Sequence, residues 1–494
     1  MQSQDIKPQV PQDNPIVENK ELSIWEALIP VLALVMMLAY NVYLYGGDAL
    51  NGSNQFILLL GGAVAAIVGF FNKVTFGQMI EEVSENIKST AGALLILLMV
   101  GALAGTWLIS GIIPTMIYYG LQVLNPTIFL AACVIICAII SVATGSSWTT
   151  SATVGIALIG IANALGVHLG MAAGAILSGA YFGDKISPLS DTTNLAPAMA
   201  GTDLFTHIRY MLYTTMPTLI VTIIVFIVLG LNIETHGTAD TESILTALKS
   251  SINVSPWLFA VPLLVIVLII KKTPPLVALL AGTLLGGLAA LIFQPHVVAS
   301  IGGGTSLNFT TGYKGLMDAI TVDTEIPTDN EALKGLFASG GMASMLGTVW
   351  LILCAMVFGG IMDAIGALAT ISKALLKLFH TTFGLFASTV ASCLALNLTA
   401  SDQYLAIVVP GKMYAQAYKD KGLAPENLSR TLEDSGTVTS VLVPWNTCGA
   451  YHSGVLGVDT LHYAGYAIFN WLSPFMTLIF AAFRIKIRQL ATTK

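Results

Sequence analysis

Charge is what this sequence has least of: Asp, Glu, Lys and Arg together make up 10% of its 494 residues, where a soluble globular chain carries roughly a quarter. The shortage runs the length of the chain in long apolar stretches, with 55% hydrophobic residues and a mean hydropathy of +0.80. Many of these stretches approach the ~20 residues needed to cross a bilayer core, so lipid is the solvent. Basic clusters are missing too: the net charge is −6, and no polybasic run offers a nucleic-acid or anionic-lipid patch, which excludes nucleic acid as a partner. Cysteine is sparse. Cys133, Cys137, Cys354, Cys393 and Cys448 are scattered through apolar surroundings without zinc-ligand spacing, and they read as small buried hydrophobes. The first residues also lack the basic and short apolar regions of a cleaved signal, carrying Asp5, Asp13, Glu18 and Glu21 beside Lys7 and Lys20. Residues 1–23 are therefore expected to be a polar tail, and the first apolar segment a true span.

What is present is a double series of apolar segments. The first covers 24–45, 55–72, 91–110, 125–143, 151–182 in pieces and 206–231; the second covers 256–271, 274–293, 342–369, 381–398, 403–456 in pieces and 459–483. This divides the chain into a tail (1–23), a first transmembrane repeat (24–231), a connecting segment (232–255), a second repeat (256–484) and a tail (485–494). The second repeat carries a polar insert, 294–340, with Asp318, Asp323, Glu325, Asp329 and Glu331. Lys73, Lys88, Arg209, Lys271, Lys272, Lys373, Lys377, Arg484, Lys486 and Arg488 fall where alternating spans all face one side. By the positive-inside rule that side is the cytoplasm, which places both termini there and the connecting segment and insert outside. At an offset of 255, Gly105 and Gly111 meet Gly360 and Gly366; Thr144, Ser146 and Ser147 meet Thr399, Ser401 and Asp402; Asp191 and Thr192 meet Asn446 and Thr447. Matched segments run in opposite directions in the charge topology, so the expected fold is an all-α polytopic membrane protein of two inverted-topology repeats, each with a re-entrant hairpin and a broken transmembrane helix.

Chemistry belongs where apolar spans are interrupted, because irregular backbone at bilayer depth is tolerated only along a protein cavity. Four interruptions stand out: Thr144 to Ser151, Gly183 to Asn194, Asn397 to Gln403, and Glu433 to Ser440 continuing through Asn446 and Thr447. They are rich in hydroxyls, carboxamides and carboxylates, the hard oxygen donors that a cation such as Na+ prefers. A buried carboxylate also takes up a proton, because desolvation disfavours its charged form. One aspartate that holds either Na+ or H+, never both, is sufficient for exchange.

The runs Gly179 to Ala196, Gly201 to Arg209 and Val443 to Ala450 resemble the NhaC family of Na+/H+ antiporters. The resemblance covers nearly all of the membrane part and implies a multi-pass antiporter of the bacterial cytoplasmic membrane that exchanges Na+ for H+ by alternating access. The family is also similar to carriers that exchange malate for lactate with Na+ and protons, which keeps a small-carboxylate exchanger as the alternative. The expected ion- and substrate-binding set is Ser146, Ser147, Thr149, Asp184, Ser187, Ser190, Asp191, Thr192, Asn194, Thr399, Ser401, Asp402, Asp434, Thr437, Asn446 and Thr447, with Na+ at Asp184, Asp191 and Asp402. No cofactor is expected: Na+ and H+ are cargo, the bilayer is the surrounding partner, and a homodimer is the assembly allowed for.

Each residue also has a blander role. Asp402 suits the N-cap of the run from Tyr404, Glu433 and Asp434 a helix start, Lys185 a snorkelling side chain or the balance of a carboxylate, and His452 a packing histidine. Trp25, Trp257 and Trp471 suit interfacial anchors, while Trp148 and Trp445 flank breaks. An intramembrane aspartyl protease is excluded because no Tyr-Asp pair stands in the chain. Paired breaks in two halves favour alternating access over a channel filter.

Overall fold

The computed structural model describes residues 22–45, 49, 52–232, 238–328, 334, 336–377 and 381–490. Most of the expected N-terminal tail, the last four residues of the C-terminal one and part of the acidic insert, with Asp329 and Glu331, lie outside that set. Helices α1 (Ile24–Tyr45), α2 (Ser53–Phe71) and α3 (Phe76–Ile109) open the first half. They are followed by α4 (Ile112–Val123), α5 (Pro126–Thr144) and the short α6 (Ser147–Thr150). A π-turn, Ser151–Gly155, leads into α7 (Ile156–Ala164); α8 (Leu169–Ile186), α9 (Asp191–Ala200) and α10 (Leu204–Leu231) complete the half.

The connecting segment is itself helical in α11 (Thr238–Ser251), and α12 (Ala260–Ile270) and α13 (Pro275–Phe293) begin the second half. The polar insert folds as α14 (Pro295–Ile301), α15 (Phe309–Thr321) and an antiparallel pair, β1 (Thr324–Glu325) with β2 (Ala338–Ser339). Then come α16 (Leu346–Ala364), α17 (Ala367–Lys377), α18 (Thr382–Thr399), α19 (Gln403–Asp420), α20 (Pro425–Leu432), α21 (Thr447–Leu456), α22 (Thr460–Ala464) and α23 (Ile468–Ala482).

Eight helices among the described residues are long and apolar enough to cross a membrane, and a ninth crossing arises if the segments Glu242–Ser251 and Pro256–Ile270, bent by 88°, count together. Their outward faces carry bare apolar side chains, such as Phe71 at 82% exposure and Leu284 at 63%, as lipid contact requires. Trp25 and Trp257 are likewise exposed. The first turns of α3 carry Glu81, Glu82, Glu85 and Lys88 on exposed positions. That helix, about 50 Å long at 1.5 Å per residue, therefore extends beyond an apolar slab.

Local chemistry sets many boundaries. Thr75 and Gln78 form a capping box at the start of α3, and Pro126, Pro275 and Pro425 occupy first-turn positions where a missing N–H costs nothing. The predicted break around Pro188 is real: α8 stops at Ile186 and α9 starts at Asp191. Glu433–Ser440 is different. Glu433–Thr437 continues α20 as a π-turn, and the actual interruption falls at Val443–Asn446.

Capping residues recur at fixed spacings along the chain, one residue longer in places than the offset expected from the sequence. Gly111 and Gly366 are both left-handed turn residues, at the expected offset of 255. The N-cap pairs Ser146 and Asp402, Ser190 and Asn446, and Asp203 and Asp459 sit 256 apart, as do the left-handed Gly145 and Ser401. The cause is Ala400, inserted between the end of α18 and Ser401, whereas Gly145 directly follows α5. Asp402 thus corresponds to Ser146 rather than Ser147, and Asn446 to Ser190 rather than Asp191. The halves also exchange partners, with α2 packed on α16 and α13 on α3.

The tightest pairing is α5 against α8. Gly179 and Gly183, four residues apart, lie on the backbone carbonyls of Val134 and Ala138 so closely that no Cβ fits, the small-residue packing expected of helices in lipid. This contact fixes the end of α8, and with it Asp184, against the tip of α5.

Candidate functional site

A cavity of about 570 Å³ opens between the two helix breaks of the first half and the start of α19. Its wall includes Thr144, Ser146, Thr149, Asp184, Ser190, Asp191, Thr192, Asp402 and Thr447. Ser89, Lys272 and Pro275, all exposed, stand at its rim.

Asp184 is held in the last turn of α8, and its environment follows from the break opposite. After the left-handed Gly145, Ser146 caps α6 by accepting from the Thr149 N–H at 3.2 Å. This turns the next residue toward α8. Ser147 then donates its backbone N–H (3.2 Å) and its hydroxyl (2.7 Å) to one oxygen of Asp184. Asp184 is buried, with its carboxylate on the cavity wall. Asp191, in the first turn of α9, is exposed to the same cavity. Ser190 caps α9 through the Thr193 N–H, and Ser190 and Thr192 share a hydroxyl contact of 3.2 Å. Asp402 enters from the other half. It has the N-cap role as well as a cavity position, its Oδ1 accepting from the N–H groups of Tyr404 (2.8 Å) and Leu405 (3.0 Å).

Other expected residues lie elsewhere. Ser187 caps the end of α8 and donates to the Val142 carbonyl, and Asn194 is exposed and donates to the carbonyls of Pro188 and Ser190. Thr399 donates to Ala395, and Ser401 and Thr437 are buried with hydroxyls that find no partner. Asn446 caps α21 through the Cys448 N–H and donates to Asn397, which in turn donates to the Gly436 carbonyl; the two tie the second-half breaks together outside the cavity lining. Trp148 lines the cavity and stacks on Tyr451 at 3.9 Å, whereas Trp445 donates to the Leu398 carbonyl away from it.

Asp434 is also outside the cavity. It is buried with Lys185 in an ion pair between the halves, and its second oxygen accepts from Thr214 (2.9 Å) and Thr477. The lysine following Asp184 is thereby turned away from the cavity, with Phe469 against its ammonium at 5.4 Å. Glu433, absent from the sequence-derived set, is fully buried behind the cavity wall; one oxygen accepts from Thr192 (3.0 Å) and the other has no partner. Sequence gave one signal for it, an acid inside an apolar segment; its contact with Thr192 spans 241 positions and has no local signature.

The cavity therefore gathers three carboxylates, with hydroxyl-bearing residues around them and one lysine at the rim. Such a donor set suits a hard monovalent cation. Residues 179–485 match the model of the Na+/H+ antiporter family. The chain is 37% identical to the Na(+)/H(+) antiporter NhaC of Alkalihalophilus pseudofirmus, over 84% of this chain and 87% of that one. It is 35% identical to an uncharacterized Na(+)/H(+) antiporter of Haemophilus influenzae, over 94% and 97%. It is also 35% identical to the Malate-2H(+)/Na(+)-lactate antiporter of Bacillus subtilis, over 92% and 91%. With a family match across most of the membrane part and relatives aligned over nearly their whole length, this multi-pass membrane protein belongs to the Na+/H+ antiporter family.

Proposed function

We propose that the protein exchanges Na+ for H+ across the bacterial cytoplasmic membrane, the two ions competing for Asp184 and Asp191 in the shared cavity. The observation that carries this reading is the geometry of Asp184: a buried carboxylate on a cavity wall, fixed by two donors from Ser147, while the adjacent Lys185 is committed to Asp434. Among the described residues no ion pair neutralises it, so the carboxylate is available to Na+ or to a proton. Asp402 and the hydroxyls of Ser146, Thr149, Ser190, Thr192 and Thr447 complete an oxygen-rich wall. In this reading the two helix series have opposite topology, and the rim at Lys272 faces the cytoplasm together with both termini. The cavity then corresponds to an inward-open state, and closure of the rim with opening on the far side provides alternating access.

The test is Na+-driven proton movement in proteoliposomes followed with a pH dye. Wild type dissipates an imposed pH gradient on addition of Na+, and Asp184→Asn together with Asp191→Asn removes the response. Wild-type exchange in the double variant rejects the assignment. A small-carboxylate exchanger is the second reading, supported by the identity to a malate and lactate carrier; it requires that Na+ act only with the organic acid present.

A further inference from the structure

We propose that the pocket between α1 and the break at Val443–Asn446 binds one phospholipid with a primary-ammonium headgroup, its tail along α1 and its ammonium on Asp459. The pocket encloses about 540 Å³, within the range of about 300–1,000 Å³ typical of ligand sites. Its wall is mostly apolar, with Val35, Leu38, Val42, Leu398, Val443 and Leu461. It shares no lining residue with the cation cavity. Val35, Leu38, Ala39 and Val42 recur at helical spacing and form one stripe of α1, about 10 Å long at 1.5 Å per residue. That stripe borders the bare side of the helix: Val35 is 42% exposed, and Leu32, Met36 and Tyr40 beside it also face outward. The pocket is therefore continuous with the lipid-facing surface, and an acyl chain reaches it from the bilayer without crossing water.

A few polar groups complete the lining: Asn54 in the first turn of α2, with Asp459, Thr460 and His462 at the start of α22. Two of them are committed. Asn54 accepts from Asn41 at 2.8 Å, and Thr460 donates to the Gly449 carbonyl at 3.2 Å. Asp459 differs: it occupies the N-cap of α22, yet its side chain caps no N–H. Its ion-pair partner among the described residues is His462, with Nδ1 at 3.6 Å, beyond hydrogen-bond length. The pocket thus holds a carboxylate with open acceptor positions beside an exposed imidazole. Trp445 serves as wall alone, since its indole N–H is occupied by the Leu398 carbonyl at 2.8 Å.

This set of groups selects the headgroup. A primary ammonium presents three N–H donors, and a charge-assisted hydrogen bond to Asp459 is stronger than a neutral one. A choline headgroup has no N–H to donate. Anionic headgroups occupy basic pockets, whereas Lys and Arg are missing from the described lining and Asp459 opposes a negative charge. The His462 ring carries an N–H in either tautomer, a donor for the phosphate that adjoins the ammonium. Acid, imidazole and apolar stripe together match ammonium, phosphate and tail. A lipid seated there lies against the break that leads into Thr447, a residue of the cation cavity, and so supports one wall of that cavity. The binding itself does not depend on the Na+/H+ reading.

The experiment is native mass spectrometry of the full chain released from nanodiscs of equimolar phosphatidylethanolamine, phosphatidylcholine and phosphatidylglycerol with identical tails. Wild type is expected to retain one phosphatidylethanolamine, preferred about tenfold over either competitor, the ratio for one hydrogen bond to a charged group. Asp459→Asn, whose side chain caps nothing, loses that preference. Ala39→Trp, at an exposed position of the wall, fills the pocket and loses the retained lipid. Asp184→Asn keeps it, which separates the site from the cation cavity. Retention of no lipid by wild type, or equal retention of all three, overturns the proposal without reference to any variant. A preference unchanged in Asp459→Asn, or a lipid retained in Ala39→Trp, overturns the placement. Displacement by an equal concentration of dodecylammonium shows that the phosphate goes unread and overturns the phospholipid assignment. Retention is measured without transport, so failure of Na+-driven proton exchange leaves this site untouched.

Discussion

Replacing Ser147 with Ala tests whether the orientation of Asp184 matters to cation binding. The substitution removes the hydroxyl donor at 2.7 Å and keeps the backbone donor at 3.2 Å, so the carboxylate stays in place with one of its two supports. A hydrogen bond to a charged group contributes about 1.5–3 kcal/mol. The carboxylate borders a cavity wide enough for water to replace part of that interaction, so the lower end applies. About 1.5 kcal/mol corresponds to roughly a tenfold change in an equilibrium constant. The expected result is about a tenfold rise in the Na+ concentration for half-maximal dye response, with the maximal rate largely retained, because Ser147 positions the site and is not its ion-bearing group. Ser147→Thr keeps the hydroxyl and should recover most of the affinity. The reasoning is refuted if Ser147→Ala shows wild-type half-saturation, or if Thr fails as completely as Ala.

Lys185→Met leaves Asp434 buried with two threonine donors, and should cost about 3–5 kcal/mol, the penalty for orphaning one member of a buried pair; thermal stability should recover largely in Lys185→Met with Asp434→Leu. Gly145→Ala places a side chain in the left-handed region, at about 1–2 kcal/mol, and its Cβ would meet the Leu189 Cβ at 2.5 Å; loss of Na+ response with the fold retained is the expected readout. Asp203, the N-cap of α10, is held below the usual carboxylate range by Thr206. Its folded-state value lies below its unfolded one, so its contribution to stability is present at neutral pH and disappears as pH falls through the lowered folded value. Asp203→Asn should keep the cap and reduce the acid sensitivity of the melting temperature.

The sequence alone determined the solvent, the helical class and the breaks within 144–151, 183–194 and 397–403, whereas 433–440 proved helical and the fourth break lies at Val443–Asn446. Those properties are local: hydropathy over ~20 residues decides lipid burial, and Gly145, Pro188 and the capping hydroxyls of Ser146 and Ser190 decide where helices stop and restart. The recurrence of capping chemistry was legible for the same reason, although one extra residue at Ala400 shifted its spacing in a way letter matching missed. Asp184, Asp191 and Asp402 could be nominated as intramembrane acids, but Asp434 looked the same by that criterion. Only the tertiary structure separated them. It joined Asp434 to Lys185 across 249 positions and brought Glu433 to Thr192 across 241, leaving Arg430 with no acid of its own. A carboxylate in lipid must find a cation, a donor or water, and which of these it meets depends on how closely helices such as α5 and α8 approach, a long-range packing outcome that no single segment encodes.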